Sequence, residues 1–529
     1  MRSPSVKAWM STLPSSVVAG TGADSLFTAA QVFAKLGHQR YAGSMDFTKC
    51  YDLMIPCGTA ALLEAGGWPR GLVQVIAYMW QHQQRWVSWD RHTHGAPLAA
   101  GTCVPQGCSF GPLALAAWMA AGVRATDHNR ETVFTRVFMD DRTIVSSDPQ
   151  FLVNQIQRWE TWSESVGLLE SKTKTQLTGA TQLCRTRLAS VATEPAKVQS
   201  SFEILGCCAQ VSRRTESTKE KKRLAAGHRT LQLIGNLGWP FERFLRAAQS
   251  HVLSKCTYGW LARLPTSTSS WKCWAQVRRA QRVHQQANKY LRAIIFGGNC
   301  HLDMLVASNL IRVVARLLQR RCVRWADRST GGSPVATLHK WFSLHGFSAA
   351  RPWTWISDHV SFKVDLQRMP IKNAQHAARQ GWRWHLWQKF LNCGRHECDE
   401  VRQLSLQQFV DIDFKKVRQS AIDDTFRAVC TGAMLSPAAM QHRDEVPINC
   451  PWCENLGHWN HVVWLCDNRP VKLPFPDSPV KARFGWGASP EQVNWITQAA
   501  AAIWNTRHAA AAANSAAGSA AGAAAEAAE

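Results

Sequence analysis

The stretch Phe134-Thr-Arg-Val-Phe-Met-Asp-Asp-Arg-Thr-Ile-Val-Ser146 restricts the fold of this chain more than any other. Val133 to Phe138 and Thr143 to Val145 are rich in β-branched and aromatic residues and predict two short strands. Asp140 and Asp141 fall at the bend between them. Aspartate favours turns, so a solvated hairpin tip is one reading. Adjacent carboxylates also repel each other, and divalent metal turns that repulsion to use. Mg²⁺ takes oxygen ligands, and a pair of such ions can clamp both oxygens of a phosphoryl transfer. The choice depends on a third carboxylate and on a surface for a polyanion.

Upstream, the spacing of apolar residues predicts a helix over Ser25 to Leu36, stopped by Gly37, then a strand over Tyr41 to Phe47. Asp46 lies in that strand between Met45 and Phe47, so its side chain points to the opposite face from theirs. Helices are expected over Pro56 to Ala65 and Arg70 to Gln84, and a strand over Arg85 to Asp90. The run Gly101-Thr-Cys-Val-Pro-Gln-Gly-Cys-Ser-Phe-Gly-Pro-Leu113 opens an apolar helix. Such a run serves either as a plain loop or as backbone that a nucleotide approaches closely.

Three segments stand in one order: Asp46-x4-Tyr51-Asp52, Pro105-Gln106-Gly107-x3-Gly111-Pro112, and Phe138-Met139-Asp140-Asp141. The set resembles the palm of reverse transcriptases, particularly those of non-LTR retrotransposons and group II introns. Trp162 to Lys174 is similar to the family's segment after the Asp-Asp hairpin, and Phe202-Glu-Ile-Leu205-Gly206 to its primer grip.

The resemblance implies a right-hand polymerase fold of the α+β class: an antiparallel palm sheet with helices, partial fingers, a helical thumb and a helical C-terminal region. It implies an RNA-directed DNA polymerase, with a catalytically inactive nucleic-acid-binding remnant as the alternative. Asp46, Asp140 and Asp141 would hold two Mg²⁺ ions, with the Phe47 carbonyl assisting. Tyr51 would lie beneath the sugar of an incoming deoxynucleoside triphosphate, Gln106 and Gly107 would border nucleotide and template, and Lys174 would sit near the triphosphate. Partners would be an RNA template, a DNA primer and their duplex. Three departures stand out. Cys103 replaces a usual Gly, Gly111 replaces a usual Ser, and Asp46 comes early, as in an N-terminally truncated element.

Charge supports a polyanion partner. Residues 201–400 hold 32 Lys and Arg against 11 Asp and Glu, whereas 1–200 hold 18 against 14 and 401–529 hold 11 against 12. Nearly all of the net +24 therefore sits in the middle of the chain. Such a field favours nucleic acid first and anionic membrane second. Arg213, Arg214, Lys219, Lys221, Lys222, Arg223 and Arg229 open this region. Helical patterns follow over Phe241 to Tyr258, over Trp271 to Phe296 (carrying Arg278, Arg279, Arg282, Lys289 and Arg292) and over Ser308 to Asp327. Trp382, Trp384 and Trp387 alternate with basic residues, as a stacking platform for bases or as packed core.

Near the C-terminus, Cys450-x2-Cys453-x7-His461-x4-Cys466 offers three thiolates and an imidazole, a set suited to tetrahedral, structural Zn²⁺. His458 competes with His461 as a ligand. The His461 spacing resembles the knuckle that follows the polymerase in non-LTR elements. Cys393, His396 and Cys398 are spaced poorly, and no metal is assigned to them. The scattered cysteines predict a reducing compartment, nuclear or cytoplasmic. Met1-Arg-Ser-Pro lacks a clear hydrophobic region before a cleavage site, so no signal peptide is expected, and no apolar run reaches the ~18 residues of a membrane span. The expected organisation is partial fingers and palm over 1–206, basic helical thumb over 207–300, basic helical connector over 301–445, zinc knuckle over 446–470, and loop with an Ala-rich tail over 471–529.

Overall fold

A glycine at the middle of a central strand fixes how the first sheet is covered. Five strands run in the order β1-β5-β6-β2-β7: β1 (Val17–Val18), β2 (Tyr41–Met45), β5 (Val133–Phe138), β6 (Asp141–Ser146) and β7 (Gln176–Gly179). β3 (Gln84–Trp89) and β4 (His92–Ala99) form a separate hairpin. In β2, a Cβ on Gly43 would lie 2.8 Å from Ile156 Cδ1 and 3.2 Å from Leu177 Cδ2. The missing side chain lets the helix Pro149–Ser165 press onto the sheet, burying Leu152, Ile156 and Trp159. That helix starts where its sequence says it should. Asp148 accepts from the backbone N–H groups of Gln150 and Phe151 at 2.8 and 3.0 Å, and Pro149 stands in the first turn.

This computed structural model describes residues 4–18, 22–89, 92–99, 103–105, 107–126, 133–210, 218–239, 241–280, 288–329, 332–358, 362–392, 406–420, 423–430, 449–453, 455, 458–476, 482 and 484–526. They divide into two units. The first holds residues 1–221, 258–264 and 309–341, and the second holds 222–257, 265–308 and 342–529. No helix among the described residues is long and apolar enough to cross a membrane.

The first unit has a mixed sheet rather than an antiparallel one. β1 runs parallel to β5, and every other pair in the sheet is antiparallel. The helix Gly111–Thr126 is buried along nearly its whole length, as its unbroken apolar run requires. β8 (Ser201–Ile204) and β9 (Cys207–Gln210) form a hairpin whose two loop residues, Leu205 and Gly206, both have positive φ (49° and 74°). That is the turn that matches the twist of its strands. The Tyr258 hydroxyl donates to the Leu205 carbonyl at 2.9 Å and ties the hairpin down.

The second unit is helical with one addition that the periodicity did not reveal. β10 (Phe347–Arg351), β11 (Thr354–Ser357) and β12 (Lys363–Asp365) form a three-stranded antiparallel sheet inside the region expected to be a helical connector. These strands are three to five residues long, and β10 buries only Phe347, so no alternation shows. The helix Ile371–Leu391 approaches at Gly381, where a Cβ would lie 2.1 Å from Phe347 Cζ. Trp382, Trp384 and Trp387 are buried in this helix, the last two against Phe409. They are core, not an open stacking platform.

One expected helix is two. The pattern over Trp271 to Phe296 resolves into Ser267–Ala280 and Lys289–Phe296. Asn288 opens the second by accepting from the N–H groups of Tyr290 and Leu291 at 2.8 and 3.4 Å. The Ala-rich tail is a helix, Pro490–Glu526, anchored through buried Trp495, Ile496 and Ile503.

Candidate active site and metal centre

The strand register brings the acidic residues of the first unit together. Phe138 pairs with Asp141, so the β5–β6 loop is Met139-Asp140 alone. Met139 has φ of 57°, a left-handed conformation that costs a non-glycine residue roughly 1–2 kcal/mol. Its N–H donates to the Val18 carbonyl at 3.2 Å, which helps hold the strained loop against β1. On the other side, β6 pairs with β2 so that Arg142 faces Met45. Asp46, one residue beyond β2, therefore continues the register opposite Asp141.

The carboxylates feel one another. Burial raises the Asp140 carboxyl above its ordinary range, and the charge of Asp46 adds to this. Asp141 is pushed up to about 7, first by burial and then by the charges of Asp140 and Asp46. The Lys174 ammonium donates to Asp46 Oδ2 at 2.6 Å and is itself held above its usual value by that bond. The three carboxylates do not converge on one point. Among the described residues, only the group Cys450, Cys453, His461 and Cys466 has all its ligand atoms within 4.8 Å of one another.

A sign follows for stability. Between the ordinary aspartate value near ~3.9 and about 7, the folded state holds the Asp141 proton more firmly than the unfolded chain. The burden of its charge is therefore absent at low pH, grows through that window, and is complete above it. Asp141→Asn should raise the Tm by several degrees at pH 8, with the gain fading as pH falls towards ~4. Thermal melts of both proteins across pH test this, and a gain independent of pH would contradict it.

Tyr51 is partly buried, and its hydroxyl is pushed up to about 12 by burial and then by Asp140. Its ring lies against the start of the helix Gly111–Thr126: a Cβ on Gly111 would be 3.2 Å from Tyr51 Cε1. The usual Ser there would crowd this ring. Gly107 has φ of 89° in a turn closed by Cys108 N–H donating to the Pro105 carbonyl at 3.1 Å. A positive φ at the third position of such a turn selects glycine. Gln106 lies outside the described residues, as do Cys393, His396 and Cys398.

Arg142 and Glu170 are the residues that the sequence did not reveal. Arg142 is fully buried and donates from Nη1 and Nη2 to Glu170 Oε1 and Oε2 at 2.5 and 2.7 Å. Its guanidinium lies 3.6 Å from the centroid of the Phe47 ring. Ser163 Oγ donates to Glu170 Oε1 at 2.5 Å. Phe47 and Glu170 form a bridge, the Thr48 N–H donates to the Leu169 carbonyl, and the Ser171 N–H donates to that of Asp46. The backbone carrying Asp46 is thus fixed by the segment 169–171. The available signal was alternation: if Asp141 faces the site, Arg142 faces the interior and needs a carboxylate.

In the second unit, the four ligands expected for zinc are together. Cys450 and Cys466 Sγ are 3.8 Å apart, and Cys453 Sγ is 3.2 Å from His461 Nε2. A tetrahedral ion with Zn–S ~2.3 Å has an S–S edge of about 3.8 Å, so the donor set and spacing fit zinc. His461, rather than His458, belongs to the group.

The basic residues divide. Lys221, Lys222, Arg229, Arg243, Lys255, Lys272 and Lys289 are exposed. Arg292, expected with them, is buried in the core face of Lys289–Phe296. Arg213, Arg214 and Arg282 lie outside the described residues, and so do the side chains of Lys219, Arg278 and Arg279.

Comparison with known proteins finds a family match within the first unit. Residues 10–208 match the family model described as reverse transcriptase (RNA-dependent DNA polymerase). No curated protein sequence matches. Among solved structures, apo telomerase from Candida Tropicalis aligns at 10% identity with a TM-score of 0.32, over 62% of this chain and 52% of that one. Telomerase from Candida albicans, in complex with a fragment of telomeric RNA, aligns at 12% identity with a TM-score of 0.25, over 58% and 53%. The chain spans about half the length of either telomerase chain. Residues 10–208, under half of the chain, are thus similar to a reverse transcriptase domain.

Proposed function

We propose that the chain is an RNA-directed DNA polymerase of the non-LTR type, extending a DNA primer on an RNA template. The observation that carries this reading is the register that sets Asp46 opposite Asp141, with Asp140 in the adjoining two-residue loop. Asp46, Asp140 and Asp141 would hold the Mg²⁺ ions. When bound, these neutralise charge on the attacking 3′-hydroxyl oxygen and on the leaving pyrophosphate.

The chain's own residues position the reactants. Arg142 and Glu170 hold the strand that presents Asp46 and Asp141. Lys174, largely exposed, can leave Asp46 for a triphosphate as that carboxylate engages metal. Tyr51 stays protonated at neutral pH, and its ring, set against Gly111, offers a wall that would disfavour a 2′-hydroxyl. The Cys/His group would hold Zn²⁺ as a structural ion.

Primer extension on an RNA template tests the assignment. Wild type should incorporate deoxynucleotides in Mg²⁺, and Asp140→Asn should lose at least ~100-fold, since removing one element of charge stabilisation costs that much. Equal incorporation by both proteins would remove Asp140 from the catalytic role. Duplex binding by wild type with no incorporation would instead identify an inactive nucleic-acid-binding remnant.

A further inference from the structure

The helix Ile371–Leu391 contains no Asp or Glu. Lys372, His376, Arg379 and Arg383 follow one another at intervals of four, three and four residues, so they share a face. Like charges four residues apart destabilise a helix. A third guanidinium joins them from Arg418 on the helix Phe414–Ser420, and its charge and that of Arg379 both bear on Arg383.

Two of these cations have structural work. Arg383 is 4% exposed, donates from Nε to the Ile294 carbonyl at 2.9 Å and from Nη1 to Gln380 Oε1 at 3.1 Å, and lies over the Phe414 ring. Arg418 Nη1 donates to the Ile295 carbonyl at 3.2 Å. Those carbonyls belong to the last turn of Lys289–Phe296, where the helix dipole is negative.

Arg379 is in excess of that need. Its Nε is buried and has no hydrogen-bond partner. Among the described residues, no carboxylate forms an ion pair with Arg379, Arg383 or Arg418. Asp413 lies near enough to favour the charge of Arg418, but its carboxylate is exposed and caps the N–H groups of Lys415 and Lys416. The packing selects for this crowding. A Cβ on Gly298 would lie 2.8 Å from Arg379 Cδ and 2.9 Å from Arg383 Nη2, so a side chain there would push the arginines apart. Lys372, Lys415 and Lys416, on the same two helices, are exposed.

We propose that Arg379, Arg383 and Arg418 form an anion site for a phosphodiester group of the nucleic-acid backbone. A guanidinium fork matches phosphate oxygens, and an anion seated here would relieve the repulsion and satisfy Arg379. The site rests on the reading that the chain holds nucleic acid, but not on the catalytic assignment. It would supply affinity and position without reading sequence.

The test uses the full chain, a fluorescent RNA–DNA duplex and a KCl series. Arg379→Gln should weaken binding several-fold for any duplex sequence and reduce the slope of log K against log salt by about 1. Lys340→Gln removes the same charge from an exposed position and should change neither beyond error. Without nucleic acid, the Tm of Arg379→Gln should equal or exceed that of wild type, because repulsion is removed. Binding is measured without Mg²⁺ or nucleotide, which separates this site from the catalytic one. A salt slope for Arg379→Gln equal to that of Lys340→Gln overturns the proposal. A loss of Tm with that slope unchanged would make Arg379 structural. Stabilisation of wild type by inorganic phosphate, again with the slope unchanged, would make the site one for free anions.

Discussion

Arg142→Met should lower the unfolding free energy by about 3–5 kcal/mol, the cost of leaving a buried carboxylate without its partner. Methionine fills much of the space under Phe47 but offers Glu170 nothing. The Glu170 carboxylate is 8% exposed and receives three hydrogen bonds from within this cluster, two from Arg142 and one from Ser163. Removing one partner is far worse than removing both. Arg142→Met with Glu170→Leu should therefore recover most of the loss, since a packed apolar pair often equals a buried ion pair. Urea unfolding of the two single variants and the double gives the coupling energy. A single variant within ~1 kcal/mol of wild type would mean that water reaches Glu170 and that the pair is not what holds the strand. Incorporation should fall with the single variant even below its melting temperature. The segment 169–171 that Glu170 anchors also bonds to the backbone at Asp46 and Thr48.

What the sequence revealed follows the range of each interaction. The Asp-Asp hairpin was legible because its strands alternate and its bend is local; β5 begins and ends where the pattern places it. The helix Pro56–Ala65 was legible for the same reason, with Pro56 in its first turn. Arg142 and Glu170 are 28 residues apart, and nothing local marks them as a pair. Gly43 reads as an ordinary weak strand residue until Ile156 is brought above it. The three short strands after Phe347 escaped because helical residues flank them and each is too short to show a period. The break at Asn288 carried a signal, an N-cap residue ahead of Lys289-Tyr-Leu, which the run of basic residues obscured. For the metal centre the situation was simpler. A two-residue spacing brings two thiolates onto one ion locally, and the structure then folds His461 and Cys466 back onto them.

Cys453→Ser, or a strong chelator, should release one zinc ion per chain and loosen the end of the second unit. Zinc held by such ligands contributes folding free energy directly, of order 10 kcal/mol in small isolated sites. The expected reach of the loss is set by what the turn carries. Trp452 Nε1 donates to the Val462 carbonyl at 3.1 Å, and Trp495 Nε1 donates to that of Val463 at 2.6 Å. The two indoles stack, with centroids 5.8 Å apart. The helix Pro490–Glu526 thus rests on the segment His461–Leu465, whose ends the ion would fix. Metal analysis of wild type should find one zinc, and Cys453→Ser none. Tryptophan emission should shift red on chelation as Trp452 and Trp495 meet water. Helix content should fall, because an Ala-rich helix detached from its packing is marginal in water. Chelation should leave the Asp46–Asp140–Asp141 cluster formed, since those carboxylates belong to the first unit. A wild-type chain that holds no zinc, and whose emission and helix content ignore the chelator, would leave Cys450, Cys453, His461 and Cys466 as a cluster of free thiols around an imidazole.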